Sequence, residues 1–381
     1  MSFKFNGDAV AVAKALAILL MVAGHSGCPK YINEYLGMIR MPVFFIMSGY
    51  CFKAKYLSDA RTFTKKRFKG IWWPYFKWTL VFLALHNVLY YLNIYNDQFG
   101  FRGGVSHLYS WREFGVEFVR AFYFGAANQL LGGYWFLKEL FWASFIGYAF
   151  IWMGNKSGKR LLNTFGFQAV ILVILLMFFA YMGPEFHVKA LGISQRTWMA
   201  TIFYLFGHAW RQWEEGGTWL SRYDSLPFKY QLPIVLLLGV MVKVIMIVFG
   251  HTSMLSFSTN NALSYIVAAL CGSVMVVYIS RWLVSREWFG LKFLLFTGRH
   301  TFEVLTWHFS CFKIITIMLI GIYGLSIEHL ACFPVIYTSD LKAAGIDISW
   351  SLWWWLYLIV GAGVPILWQW VRLGRKSKQK M

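Results

Sequence analysis

The stretch AVAVAKALAILLMVAGHSG, residues 9–27, is apolar over almost its whole length, yet it contains Lys14 and His25. It is long enough to cross a hydrocarbon layer of about 30 Å as one helix. A charged side chain inside a bilayer costs about 2.5–3.5 kcal/mol on insertion scales, so such residues usually face a protein-lined or wet cavity. On a regular helix Lys14 and His25 share one face, about 16 Å apart along the axis. The stretch therefore predicts a membrane helix with a polar face, although Lys14 snorkelling to the headgroups and His25 capping the helix end stay open as alternatives.

The composition of the whole chain extends this prediction to an all-α, polytopic membrane protein. Of its 381 residues, 59% are hydrophobic and only 14% are charged, which is more apolar than a soluble core requires. Apolar runs that predict membrane helices recur along the chain. We predict about ten spans, at 8–27, 35–53, 71–95, 133–154, 163–183, 198–211, 231–250, 262–281, 297–322 and 350–371. No gap between them is long enough for a separate soluble domain, so residues 1–381 are interpreted as one transmembrane domain.

The basic residues predict the orientation of the chain and its partners. With the N-terminus inside, the inner segments hold most of the loop Lys and Arg residues, as cytoplasmic loops do. Both termini are therefore predicted to be cytoplasmic. The net charge of +20 is spread over short loops without a nucleic-acid-binding motif, so membrane lipids and a phosphate-bearing ligand are the expected partners, and nucleic acid is not. The five cysteines lack metal-binding spacing, and no metal site is predicted.

Two further stretches sharpen the functional prediction. In RMPVFFIMSGY (40–50), Ser48 and Gly49 would let another helix approach closely. The basic stretch KKRFKGIWWPY (65–75) follows, and its donors could hold phosphate groups at the inner surface. An ordinary cytoplasmic loop with an aromatic belt is the alternative for this stretch.

Together these stretches resemble the opening of the integral-membrane acyltransferase family (acyltransferase 3 type), closest to its fucose 4-O-acetylase-like branch. That family opens with a basic residue, ten intervening residues and a histidine, which Lys14 and His25 match. Its F-F-x-x-S-G-[FY] element matches FFIMSGY (44–50). GGYWFLKEL (132–140) and FTGRHTFEVLTWHF (296–309) resemble later elements in the family's order.

The resemblance implies transfer of an acetyl or short acyl group from cytosolic acyl-CoA to a hydroxyl of a carbohydrate or lipid-linked glycan. It also implies a multi-pass protein of a bacterial inner membrane. His25 would act as general base or take the acyl group itself, and these two mechanisms stay open. The catalytic candidates are His25, Lys14, His308 and Glu303. The candidates for donor binding are Lys66, Arg67, Lys69, Ser48 and Tyr50.

The remaining assignments concern orientation and the acceptor. Glu303 and His308 are five residues apart and point about 140° apart on a regular helix, so Glu303 orients His308 only if the helix is distorted. For the acceptor we assign Asn128, Trp135 and Arg40, the last standing where the family commonly has a histidine before Met-Pro. A glycan flippase or exporter without acyl transfer, and a non-catalytic sensor, are the rival functions.

Overall fold

The computed structural model describes residues 7–99, 107–126, 128–158, 161–182, 192–216, 226–286, 288–348 and 353–378. Helices dominate this part of the chain and it contains no strand, which confirms the all-α prediction. The α-helices described are α1 (Gly7–His25), α2 (Lys30–Ile39), α3 (Pro42–Tyr50), α4 (Ala60–Arg67), α5 (Trp73–Ala84), α6 (His86–Tyr91), α7 (Trp111–Phe122), α8 (Trp135–Ser157), α9 (Phe165–Met182), α10 (Gln195–Glu215), α11 (Phe228–Phe249), α12 (Ala262–Ser285), α13 (Leu291–Arg299), α14 (Thr301–Tyr323), α15 (Thr338–Ala343) and α16 (Trp354–Lys378).

The chain forms two compact units. The first comprises Met1–Ala17, Glu34–Ile71 and Leu137–Arg299. The second comprises Ile18–Asn33, Trp72–Phe136 and His300–Met381. Long apolar helices occur in both units.

Seven helical segments of the described residues are long and apolar enough to cross a membrane. They are Gly7–His25, Gln129–Ser157, Phe165–Met182, Lys229–Phe249, Ala262–Ser285, Thr301–Tyr323 and Trp354–Arg375. Each corresponds to one of the ten predicted spans. The predicted span 198–211 is longer in the structure, where it forms all of α10 and ends in a polar, charged turn.

The other two predicted spans are interrupted helices. Residues 35–53 form the end of α2 and all of α3, and the break falls at Arg40 and Met41, directly before Pro42. Proline lacks the N–H that would continue the hydrogen-bond ladder, and it fits the first turn of a new helix. Residues 71–95 begin in a π-helical turn (Phe68–Trp72) and continue as α5 and α6, with Pro74 in the first turn of α5. Proline thus begins the second helix of the run 35–53, whereas in the run 71–95 it lies in the first turn of α5 and the break between α5 and α6 falls at Leu85.

In the first unit, helices α3 and α10 are in main-chain contact through glycines. A methyl group added at Gly49 would overlap the carbonyl oxygen of Tyr204, and one added at Gly207 would overlap that of Ile46. Only residues without a side chain permit this approach. The close helix packing predicted from Ser48 and Gly49 is confirmed at Gly49, and it holds α3 and its neighbours in place.

In the second unit, α14 packs along α16. Gly361 of α16 receives the ring of Phe312, and the hydroxyl groups of Thr316 and Tyr357 lie 3.1 Å apart. The buried Lys313 amine donates to the carbonyl oxygens of Leu330 and Cys332, both at 2.8 Å. These contacts fix α14 along its length, and α14 carries His308.

The short helix α7 belongs to the second unit. Ser110 caps it, and the main-chain N–H of Ser110 donates to the Glu113 carboxylate at 2.8 Å. This hydrogen bond, with that from His107, lowers the pKa of Glu113 to about 2. Trp111 is 90% exposed, whereas the rings of Phe118 and Phe122 pack against Phe76 of α5, so most of the aromatic face of α7 covers α5.

Candidate active site

His25 is the last residue of α1 and belongs to the second unit. The helix ends there because Gly27 adopts a left-handed conformation (φ 77°), which side chains disfavour. The hydroxyl of Ser26 donates to the carbonyl oxygen of Ala23 at 2.7 Å and satisfies one of the helix-end acceptors. The imidazole of His25 is therefore held at a defined helix terminus and is partly exposed.

The structure brings His25 and His308 together. The Nδ1 of His25 lies 3.2 Å from the Nε2 of His308, and the two rings stack with centroids 5.4 Å apart. His308 is fully buried in α14. Two histidines separated by 283 positions in the chain thus form one hydrogen-bonded pair.

The surroundings of His308 determine the tautomers of this pair. The Nδ1 of His308 lies 3.0 Å from the carbonyl oxygen of Val304 and 3.1 Å from that of Leu305. Carbonyl oxygens only accept, so the proton of a neutral His308 is on Nδ1 and its Nε2 is an acceptor. His25 must then donate from its own Nδ1, which leaves the lone pair of the neutral ring on Nε2. Assigned from the hydrogen-bond network in this way, His25 is in the form that a general base requires.

Aromatic residues and a glycine pack around the histidine pair. The ring of Phe309 stacks on His25 with centroids 5.0 Å apart, and Phe312 meets His308 edge-on at 5.7 Å. Gly133 lies against α14 so closely that a methyl group there would come within 2.9 Å of Leu305 and 3.7 Å of His308. The motif GGYWFLKEL thus contributes a close backbone approach to the pair, and the aromatic contact from Phe309 was not predicted.

Glu303, predicted as a catalytic residue that orients His308 if the helix is distorted, lies elsewhere in the second unit. Its carboxylate is 3.8 Å from the guanidinium of Arg372, and it lines a separate cavity described below. The helix is regular here, so the five-residue spacing directs the two side chains apart. The groups that orient His308 are the main-chain carbonyl oxygens of Val304 and Leu305.

In the first unit, several cations surround one thiol. The exposed Cys51 interacts electrostatically with Lys14, Arg211, Arg67 and Lys53, which we call the cationic cluster. Lys14, predicted as a catalytic residue on the face of α1, thus interacts with the same thiol as Arg67 of the predicted donor-binding stretch. Arg211 and Lys53 were not predicted, although Arg211 stands in a polar turn that ends an otherwise apolar helix.

Of the predicted donor-binding residues in and near the basic stretch, Arg67 belongs to the cationic cluster, whereas Ser48, Lys66 and Lys69 do not. Arg67 donates to the hydroxyl groups of Ser48 (3.3 Å) and Tyr204 (3.1 Å), so Ser48 and Arg67 are brought together as predicted. Lys66 donates to the hydroxyl of Tyr56 at 3.2 Å. Lys69 is exposed beyond them. The guanidinium of Arg67 lies on the packed side of α4, while Lys66 lies on its exposed side and Lys69 is exposed in the π-helical turn that follows.

Tyr50 is engaged in a different network of the first unit. Its hydroxyl donates to Glu214 at 2.7 Å, and the indole N–H of Trp210 donates to the other carboxylate oxygen at 2.7 Å. Arg281 forms an ion pair with Glu214 in which both side chains are nearly buried, 9% and 11% exposed. Arg211 donates to the carbonyl oxygen of Phe52 at 3.2 Å. Tyr50 therefore fixes the end of α3 through this network.

The three residues assigned to the acceptor belong to different elements of the two units. Asn128 caps the helical turn Gln129–Tyr134, accepting from Leu131 N–H at 3.3 Å and from the Tyr95 hydroxyl at 3.1 Å. Trp135 begins α8 in a partly exposed position in the second unit. Arg40 belongs to the first unit, at the break between α2 and α3, where it acts electrostatically on Tyr265.

Comparison with known protein families gives one match. The family model described as an acyltransferase domain, of the acyltransferase 3 type, matches residues 8–370. This match covers nearly the whole chain, including both histidines and the cationic cluster. No curated protein and no solved structure matches the chain.

Proposed function

This chain belongs to the acyltransferase 3 family and is a membrane acyltransferase; from that premise we propose that it moves an acetyl or short acyl group from acyl-CoA to a hydroxyl of a carbohydrate or glycolipid. The observation that carries this proposal is the His25–His308 pair. Its hydrogen bonds leave the lone pair of His25 on Nε2, the atom that would accept the proton of an acceptor hydroxyl.

In the proposed reaction His25 Nε2 removes the proton of the acceptor hydroxyl as the oxygen attacks the thioester carbonyl. The carbon–sulfur bond then breaks, and the CoA thiolate leaves and takes up a proton. His308 is a positioning residue, because it fixes the tautomer and ring orientation of His25 through a hydrogen bond at 3.2 Å. Proton transfer by a positioned base typically contributes about 10²–10⁴ in rate.

For the donor we propose the cationic cluster as the site of the CoA phosphates. Lys14, Lys53, Arg67 and Arg211 supply four positive charges around Cys51. Arginine and lysine make strong charge-assisted hydrogen bonds with phosphate oxygens. Lys14 and His25 belong to one continuous helix, about 16 Å apart along its axis, and a long, thin acyl-bearing arm is long enough to span that separation.

The cellular setting is part of the same proposal. Both termini face the cytosol, the protein lies in a bacterial inner membrane, and the acceptor is a deoxysugar-containing or other glycan of the cell envelope. The basic loop stretches and the resemblance to fucose 4-O-acetylases support this assignment. Acyl-CoA is the only co-substrate that the proposed reaction needs.

The test measures release of free CoA by the purified protein in lipid vesicles, supplied with acetyl-CoA and a panel of hexosides and deoxyhexosides. We expect acceptor-dependent CoA release by the wild type and its loss, by at least about 10², in His25→Ala. His107→Ala, which removes an exposed histidine paired with Glu113, is the matched control and should retain full activity.

The outcomes separate the rival functions. A flippase would move a labelled glycan across the vesicle membrane without CoA release, and a sensor would show neither activity. CoA release that persists in His25→Ala would remove His25 from the chemistry. Mass spectrometry of surface glycans from cells with and without the protein should reveal acetyl esters and thereby identify the acceptor.

A further inference from the structure

The second unit contains a cavity that the proposed reaction does not use. It has a volume of about 320 Å³ and lies where α5 and α14 begin and α16 approaches its end. This volume is within the range of small-ligand sites, which begin at about 300 Å³. The cavity is bounded by side chains of three helices and is open on one side.

Four tryptophans surround the cavity. Trp78 and Trp307 meet edge-to-face with ring centroids 4.9 Å apart. Trp73 and Trp368 are 54% and 64% exposed, so they border the open side. Tryptophan is enriched at the level of lipid headgroups, where its ring is in apolar surroundings and its N–H reaches polar ones. The open side is therefore expected to face lipid headgroups at one surface of the bilayer.

Charges of both signs line the cavity. Lys77 and Arg372 are the cations, and Glu303 is the carboxylate. The Glu303–Arg372 pair is 3.8 Å long, which exceeds hydrogen-bond distance, so the guanidinium keeps donors for a ligand. Two cations beside one carboxylate match a ligand in which a phosphate group lies a few bonds from an amine.

A buried amide defines the ligand further. Gln369 lines the cavity and is 4% exposed, and its Oε1 has no hydrogen-bond donor among the described residues. Buried polar atoms are nearly always hydrogen-bonded in native proteins. The ligand is therefore expected to bring an N–H or O–H group to this oxygen.

We propose that this cavity binds the phosphoethanolamine headgroup of a membrane phospholipid. Its phosphate accepts hydrogen bonds from Arg372 and Lys77, and its ammonium group donates to Gln369 Oε1 and to the Glu303 carboxylate. The tryptophan rings pack against the headgroup carbons and attract the ammonium group. The acyl chains leave through the open side between Trp73 and Trp368.

Other ligands fit these groups less well. A choline headgroup has no N–H to satisfy Gln369. A glycerol headgroup has hydroxyl donors but no positive charge to balance Glu303. A nucleotide with several phosphates would bring more negative charge than two cations neutralise beside a carboxylate. The headgroup with one phosphate and one ammonium group provides partners for Lys77, Arg372, Glu303 and Gln369.

The experiment uses the purified, delipidated full-length protein and native mass spectrometry. It is mixed with equal amounts of phosphatidylethanolamine, phosphatidylcholine and phosphatidylglycerol with identical acyl chains. We expect the wild type to retain phosphatidylethanolamine preferentially. Gln369→Leu should abolish the preference, and Arg372→Gln should weaken retention about tenfold. Arg375→Gln, an exposed arginine on the same helix outside the cavity, is the control and should behave as the wild type.

Each outcome decides the proposal. Equal retention of the three lipids by the wild type overturns it, and this arm does not depend on the folding of any variant. A preference that survives in Gln369→Leu, with an unchanged melting temperature, overturns it as well. Displacement of the lipid by acetyl-CoA would make the cavity a nucleotide subsite and would also contradict the proposal.

Discussion

At the scale of single residues, two peptide carbonyl groups control the proposed base. They hold the proton of His308 on Nδ1, and His308 in turn leaves the lone pair of His25 on Nε2. A catalytic histidine usually has its tautomer set by the hydrogen bond of its other nitrogen. Here a second imidazole fills that role, so His308 acts through His25 and does not need to touch the acceptor.

Substitutions of His308 test this role. His308→Phe keeps a ring in the stack but removes the acceptor for His25 Nδ1–H, so we expect kcat to fall about tenfold with little change in KM for acetyl-CoA. His308→Gln restores a side-chain acceptor and should recover part of the loss. Steady-state kinetics of CoA release measure both. Equal losses in the two variants, or a loss confined to KM, would contradict the positioning role.

The donor-binding prediction also concerns individual charges. Neutralising Lys66, Arg67 and Lys69 to Gln should weaken acetyl-CoA binding about tenfold or more, because hydrogen bonds between charged groups are lost. The effect should be larger at low salt, since ions screen exposed charges. Calorimetric titration at two salt concentrations measures it. Lys156→Gln changes a lysine that lies over Trp152, outside the cationic cluster, and should leave the affinity unchanged. An unaltered affinity in the triple variant would make the stretch a topology signal alone.

At the scale of elements, glycine contacts position the helices that carry the cationic cluster. Gly49 and Gly207 put the main chains of α3 and α10 in contact, and Arg67 is tied to both helices through Ser48 and Tyr204. Native packing leaves no room for an added methyl group at such a point. The geometry of the proposed donor site therefore depends on the separation of these two helices.

Gly49→Ala tests this dependence. We expect a loss of about 1–3 kcal/mol in stability, because the methyl group would overlap the main chain of α10. Gly363→Ala in α16 is the matched control, since a methyl group there has no neighbour within 4 Å. Melting temperatures in detergent compare the two. A melting temperature unchanged in Gly49→Ala would show that α3 and α10 separate at little cost.

The interrupted helices show where sequence reasoning reaches its limit. The close approach at Gly49 and the importance of His25 follow from residue types and spacing. A helix start near Pro42 follows from the preference of proline for a first turn, but the break at Arg40 and Met41 does not, because an apolar run around proline is compatible with one bent helix as well as with two helices. Periodicity also does not specify contacts between segments that are distant in the chain. The pairing of His25 with His308 and the presence of Arg211 in the cationic cluster both depend on such contacts.

At the scale of the whole molecule, the charge distribution and the cysteines make the membrane orientation testable. Cys51 is exposed, whereas Cys28, Cys311 and Cys332 are buried. With the N-terminus inside, Cys51 lies at the inner end of the second predicted span, 35–53, and is expected on the cytosolic side. A membrane-impermeant maleimide should therefore label Cys51 in inverted vesicles but not in intact cells.

Two controls accompany this measurement. Cys51→Ser should lose the label in inverted vesicles, which assigns the signal to this thiol. A variant that keeps Cys51 alone should label like the wild type. Labelling of Cys51 in intact cells would reverse the orientation and would place the cationic cluster away from cytosolic acyl-CoA.

The carbonyl groups that hold His308 have a consequence for sequence divergence. Every amino acid carries a peptide oxygen, so exchange of Val304 or Leu305 for another helix-forming residue leaves both acceptors in place. No third side chain has to be inherited together with the two imidazoles. Distant homologues can therefore retain this proton-accepting pair while the neighbouring positions of the helix drift freely among apolar residues.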